Sequence, residues 1–217
     1  MQLAIYGSGG LGRECADIAK KNNNYDKIIF IDDTKDSGTL IEGIETLTFD
    51  DFNNIYDINT NEVIIAVGEP KSREALYDRL KKNNIKIGTL ISNNAVLSKN
   101  CSLAEGCIVC EFATIHTGAK IGANVLIQPH AVIGHDITIG SNSVLSSFFA
   151  PGGGSFFGER VYVGMHAIVK EKLHVGNDAI IGMGSVVYRD VNDGETVVGN
   201  PARVTLGNAG HKIFSNK

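Results

Sequence analysis

The sequence is short of the residues that would staple it, anchor it in a membrane or bind it to nucleic acid. Four cysteines in 217 residues, three of them between 101 and 110, are too few and too clustered for a disulfide framework. Cys107 and Cys110 form a lone CxxC. It lacks the second pair that zinc needs and the strand-to-helix setting of a redox motif, so it reads as structural. No apolar run approaches the length of a membrane span. There is no basic block and the net charge is −4, which argues against a nucleic-acid or anionic-membrane surface. The opening Met1-Gln2-Leu3-Ala4-Ile5-Tyr6-Gly7 lacks a basic flank and a signal core, so a cytoplasmic location is expected. No low-complexity linker interrupts the chain. With 43% hydrophobic and 20% charged residues, a folded globular protein is implied.

What is present is a period of six. An aliphatic residue recurs at every sixth position from Ile91, through Ile115, Ile121, Ile127, Ile133 and Ile139, to Val187, with Pro151 and Phe157 holding two of the places. Glycine often follows it, and four places on stands a residue that is usually small, such as Ala113, Ala119 or Ala131. No α-helix fits, because positions six apart would point roughly 240° apart. Repeated glycine would also cost about 1 kcal/mol each in a helix interior. Short extended pieces broken by regular turns do fit, with the aliphatic residue inside. A β-helix is therefore predicted over 91–203, with 204–217 as a polar tail.

Residues 1–90 read differently. Leu3–Tyr6, Ile28–Ile31 and Val63–Val67 are strand-like. Helical spacing runs from Leu11 to Lys21 and from Arg73 to Lys82, the second helix with Ser72 placed to cap it. Ile85–Ile91 reads as a last strand. This order predicts a small parallel sheet with helices packed on it, a Rossmann-like half. Gly7-Ser8-Gly9-Gly10-Leu11-Gly12 matches GxGxxG between strand and helix, where a turn, a close ligand approach and a helix amino terminus meet. Asp32-Asp33 stands about twenty residues on, where a ribose hydroxyl is met in dinucleotide folds. Three readings stay open on these residues: an NAD site, for which the domain is too short, a structural turn, and a nucleotide-sugar site.

In the repeat, Ile133-Gly134-His135-Asp136 places a turn histidine beside a carboxylate. Imidazole is basic near neutral pH and a neighbouring anion favours its protonated form, which suits general-base work. The bland alternative is a solvated surface histidine. Zinc is the other alternative, with His130 and His135 as ligands. A third ligand would have to come from an adjacent coil, but the positions there are Phe112, Phe148, Thr117 and Gly153. No metal is expected.

The repeat resembles the hexapeptide-repeat acyltransferases, which implies a left-handed handedness that periodicity alone does not give. Tyr6–Glu14, Phe30-Ile31-Asp32-Asp33 and Ala66-Val67-Gly68 are similar to the amino-terminal domain of a bacterial sugar O-/N-acyltransferase family. That family includes sialic acid O-acetyltransferases and N-acetyltransferases of nucleotide-linked amino sugars. The resemblance implies nucleotide-sugar contacts at Ser8, Gly9, Gly10, Asp32, Asp33 and Gly68, and a base and its carboxylate at His135 and Asp136. It implies contacts to the donor, acetyl-CoA, at Val144, Gly153, Met165 and Met183, with the Gly153 N–H as an oxyanion donor. Val144 stands where many members carry a second histidine. Phe148, Phe149, Phe156 and Phe157 replace a smaller stretch, and are read either as a pocket wall or as packing between subunits.

The expected activity is acetyl transfer to the amino group of a nucleotide-linked amino sugar, in making bacterial surface-glycan or glycoprotein sugars. A homotrimer is expected, with each site between two prisms. The alternatives are O-acetylation of sialic acid or another sugar, and a non-catalytic sugar-nucleotide-binding scaffold.

Overall fold

The computed structural model describes residues 1–205 and Ile213; the rest of the tail expected at 204–217 lies outside the described residues. The amino-terminal domain is built from β1 (Gln2–Tyr6), α1 (Gly10–Asn22), β2 (Lys27–Ile31), β3 (Leu40–Ile41), β4 (Ile44–Leu47), α2 (Phe49–Ile55), β5 (Asn61–Ile65) and α3 (Pro70–Lys82). Its sheet has the order β3-β4-β2-β1-β5, and every pairing is parallel except β3 with β4. In β1, flanked by β2 and β5, Leu3, Ala4 and Ile5 are all fully buried, because both faces of such a sheet are covered. The chain leaves β1 for β2 on one side and returns to β5 on the other. Ligands of open α/β sheets sit at such a switch point, outside the carboxyl ends of the strands.

Sequence reading missed β3, β4 and α2. The first is two residues long and the second alternates buried and half-buried within a polar stretch, so neither carries a run that stands out. Two other expectations need correcting. Ser72 does not cap α3, which starts two residues earlier at Pro70, since the fixed φ of proline suits a first turn. Ile85–Ile91 is not one strand: Ile87 makes a single parallel bridge to Val63, and a separate strand begins at Leu90.

From Leu90 to Val187 the chain winds as a left-handed parallel β-helix of two-residue strands that stack at intervals of eighteen residues, and an antiparallel pair, Thr196–Gly199 with Ala202–Val204, closes it. Ile115 lies opposite Ile133, Ile121 opposite Ile139, and Ile127 opposite Leu145. Three faces result. Val132–Ile133 lies on the first, Thr138–Ile139 on the second and Val144–Leu145 on the third. The second residue of each strand points inward, which is why the sequence repeats every six. Pro151 and Phe157 keep that register, and Phe157 meets Phe149 edge-on inside, with ring centroids 5.6 Å apart.

The amino-terminal domain is docked on the third face. Cys15, Ala16, Ile18 and Ala19 of α1 share one buried cluster with Leu90, Ile108, Leu126 and Val144, the outward residues of that face. Fully burying a side chain of this size stabilises by about 1.5–3 kcal/mol. The exposed ion pair of Lys21 with Glu111 at its edge adds little by comparison. Apolar burial therefore fixes the domain, and polar links at the two flanking corners set its register. Asn22 donates to the Ile91 carbonyl at one corner, and Arg160 bonds Glu74 at the other. The third corner of the prism, between the first and second faces, carries none of these links.

Candidate active site

The predicted residues fall into two groups. At the strand ends, Tyr6 pairs with both Ile31 and Ile65, so the segments after β1, β2 and β5 emerge side by side. This brings Ser8, Gly9 and Gly10 together with Asp32, Asp33 and Gly68. Gly7 has a φ of +104°, and a Cβ there would stand 2.8 Å from the Ala66 carbonyl oxygen. A Cβ on Gly12 would stand 2.0 Å from the Gly7 oxygen, so glycine is what lets α1 approach the loop. Gly9 and Gly10 face open space. Gly9 caps α1 without a side-chain bond, and no acidic residue occupies the first turn, so the positive end of the helix opens onto the cleft.

The two aspartates behave differently. Asp32 Oδ2 accepts the Ser8 hydroxyl at 2.5 Å and the Ser8 N–H at 3.1 Å, while Oδ1 accepts both donors of Thr34. Partial burial pushes its pKa upward, but the bonds from Ser8 and Thr34 outweigh that and hold the carboxyl below its ordinary value. Asp33 is taken up by the protein. Its Oδ1 accepts the Phe49 N–H at 2.9 Å, and its Oδ2 accepts the Tyr6 hydroxyl and Arg79 Nη1, each at 2.6 Å. The Arg79 guanidinium also lies 3.8 Å over the Phe49 ring. Asp33 thus ties β1, β2, α2 and α3 together, and Asp32 is the carboxylate that borders the glycine loop. Sequence reading missed Arg79, which nothing local marks, and Thr34, which an Asp-x-Thr turn signals.

The second group stands at the corner between the first and second faces. His135 Nδ1 lies 2.9 Å from Asp136 Oδ2, with the two side chains 65% and 70% exposed. Coil stacking holds both. Asp136 sits in the left-handed region, and its Oδ1 would be 2.2 Å from a Cβ on Gly118, one coil below. One coil above, a Cβ on Gly153 would fall 2.4 Å from His135 Nε2. Glycines thus make the seats for the carboxylate and the imidazole. Gly118 was readable, since it precedes Asp136 by one stacking interval. The Gly153 N–H makes no hydrogen bond among the described residues, which leaves it open beside the ring.

The other predicted donor residues lie elsewhere. Val144 is 2% exposed and packs under α1, so the place of the family's second histidine is filled by the domain interface. Met165 and Met183 are exposed on the corner between the third and first faces. On that corner Phe112, His130, Phe148 and His166 form a continuous stack with centroids 4.7–5.1 Å apart. His130 is thus on a different corner from His135, sandwiched between two phenylalanines. Phe156 stacks on His174 on the second face, while Phe149 and Phe157 are interior.

Residues 2–80 match the PglD N-terminal domain, and residues 118–148, which contain the dyad, match the bacterial transferase hexapeptide of six repeats. The two matches fall on the two domains of the fold, the first on the α/β sheet domain and the second on the middle of the β-helix. Solved structures share the whole arrangement. The acetyltransferase domain of PglB from Neisseria gonorrhoeae, in complex with acetyl coenzyme A, is 26% identical with a TM-score of 0.89, covering 94% of this chain and 98% of that one. PerB from Caulobacter crescentus, in complex with CoA and GDP-perosamine, is 25% identical with a TM-score of 0.87, covering 94% and 97%. WeeI from Acinetobacter baumannii is 27% identical with a TM-score of 0.69, covering 94% and 100%. The likeness therefore spans both the α/β domain and the β-helix, in one order.

Proposed function

We propose that the protein is an acetyl-CoA-dependent N-acetyltransferase that acts on the amino group of a nucleotide-linked amino sugar. The observation that carries this reading is the end-to-end likeness to PerB bound to CoA and GDP-perosamine, in a chain that keeps both an open glycine loop and an exposed His-Asp pair. In this reading the amino-terminal domain holds the nucleotide and His135 is the base. With Nδ1 donating to Asp136, Nε2 carries the lone pair. It takes a proton as the amine attacks the thioester carbonyl, and the Gly153 N–H stabilises the oxyanion. The C–S bond then breaks, and the imidazolium returns the proton to the leaving thiolate of CoA.

A second copy completes the site. The dyad stands on the corner away from the face that carries the amino-terminal domain, so one chain does not close its two half-sites on each other. The first face has an apolar outer row, with Val96, Val132 and Ile168 exposed. Packing three prisms around that face sets the dyad corner of one against the Met165 and Met183 corner of the next. Donor contacts then come from both chains, and the assembly is a homotrimer. No helix among the described residues is long and apolar enough to cross a membrane, and the reading places the enzyme with its soluble substrates in the cytoplasm.

The test is release of CoA from acetyl-CoA with a panel of nucleotide-linked amino sugars, with free sialic acid as the rival acceptor. Turnover on an amino sugar nucleotide, by a species sedimenting at about three times 23.2 kDa, is the expected result. Turnover on sialic acid alone would favour the O-acetyltransferase instead, and no release with any acceptor would favour the scaffold. Gly9→Val probes the nucleotide end. Open space surrounds Gly9, so a side chain there meets ligand and not protein. The KM for the sugar nucleotide should rise at least about tenfold, while that for acetyl-CoA stays within about twofold. Equal rises in both would count against a nucleotide site at this loop.

A further inference from the structure

Arg73, near the start of α3, is the one charged side chain that is wholly buried among the described residues. It makes five hydrogen bonds, all to neutral oxygens. Nε and Nη2 reach the Asn124 carbonyl at 3.0 and 2.8 Å, and Nη2 also reaches Asn124 Oδ1 at 2.7 Å. Nη1 holds the carbonyls of Ile65 at 2.6 Å and Val67 at 3.0 Å. Burial lowers its pKa to about 10, which leaves it charged at neutral pH. A buried guanidinium without a carboxylate is costly unless every donor is used, and a hydrophobic residue would fill the space more cheaply. Domain docking is already supplied by the apolar third face. The feature that calls for an arginine is its hold on the carboxyl end of β5.

That hold has a geometric consequence. Val67-Gly68 is a trans peptide, so the Gly68 N–H points opposite to the Val67 carbonyl. With that carbonyl drawn inward to the guanidinium, the N–H is turned away from it, toward the strand-end side where Ser8 and Asp32 lie. Among the described residues it makes no hydrogen bond. Asn124 anchors the other end of the fork, donating through Nδ2 to the Arg73 carbonyl and to Asn142 Oδ1 in the coil that carries His135. The strand end is thus set against the rigid prism and not merely against its own domain.

We propose that Arg73 is a positioning residue for the nucleotide: it fixes the Gly68 N–H as an outward donor to the anionic diphosphate of the ligand. This rests on the nucleotide-sugar reading above and adds to it the residue that orients the third strand end. Arg73 itself touches no substrate. A lysine at 73 keeps the charge but cannot span two carbonyls and the asparagine together, so the Val67-Gly68 peptide loses its fixed orientation.

Binding of UDP, GDP and dTDP by calorimetry, with steady-state kinetics on the full-length protein, tests the idea. For whichever diphosphate the wild type binds, Arg73→Lys should weaken affinity at least about tenfold. The KM for the sugar nucleotide should rise by a similar factor, with the KM for acetyl-CoA and the saturated turnover within about twofold. Gly68→Pro removes the N–H itself at a position whose φ is not positive, and should reproduce the affinity loss if Arg73→Lys folds poorly. Wild-type binding with unchanged affinity in both variants would overturn the role of Arg73 and leave the nucleotide reading intact. A loss in Arg73→Lys that spreads equally over both KM values and turnover would also overturn it, in favour of a purely structural clamp. A wild type that binds none of the three diphosphates would overturn both.

Discussion

Replacing His135 with alanine is expected to lower turnover by a factor of roughly 10² to 10⁴, the range for removing a general base. The side chain is exposed and its backbone carbonyl is what bonds the next coil, through the Gly154 N–H, so the fold and the assembly should survive the change. Both KM values should stay near those of the wild type, because the imidazole is asked to act mainly in the transition state. Asp136→Asn should cost less. Its amide still fits the seat above Gly118 and still accepts from Nδ1, but it no longer neutralises the imidazolium that forms during attack. Steady-state kinetics on the two variants, alongside sedimentation, check the pair. Near-normal turnover in His135→Ala with the assembly intact would mean that the amine arrives deprotonated and is merely aligned by its pocket.

How much of this was legible in the sequence depended on the kind of signal. The β-helix was readable end to end because the same inward places return every six residues, an aliphatic one and a usually smaller one, and even Pro151 and Phe157 keep that register. The strand ends of the first domain were readable because Gly7 and Gly12 leave a spacing that only a tight loop against a helix requires. What stayed hidden depends on contacts between segments far apart in sequence. Val144 reads in the sequence as a donor contact, yet nothing near it says that α1 covers it. Asp32 and Asp33 look alike side by side, and only the fold shows that Arg79, forty-six residues on, engages the second and not the first. Arg73 reads as an ordinary charge on a helix until Asn124 is brought under it. The two phenylalanine pairs divide in the same way: Phe148 and Phe156 turn outward onto different histidines, while Phe149 and Phe157 meet inside the prism.

Gly153→Ala should lower turnover by roughly one to two orders of magnitude, as a misplacement of a catalytic group by about 1 Å does, and should barely change the melting temperature. A methyl group at this position would meet a single side chain. Its nearest atoms are His135 Nε2 at 2.4 Å, Cε1 at 2.5 Å and Cδ2 at 2.9 Å, all in one exposed ring. Such a ring can swing outward, so the fold absorbs the change while the base leaves its place beside the open amide. Alanine keeps the Gly153 N–H, so the loss reports the displaced imidazole and not a missing oxyanion donor. Gly154→Ala is the matched control. There a Cβ finds only Lys172 Cγ at 3.5 Å, but φ is +70°, a region that costs an L-residue about 1–2 kcal/mol. The control should therefore melt earlier and keep most of its turnover, the reverse of its neighbour. If Gly153→Ala turned over like the wild type, the close seat of His135 under the glycine would not be what positions the base. Transfer would then depend on a histidine geometry reached only when both substrates are bound.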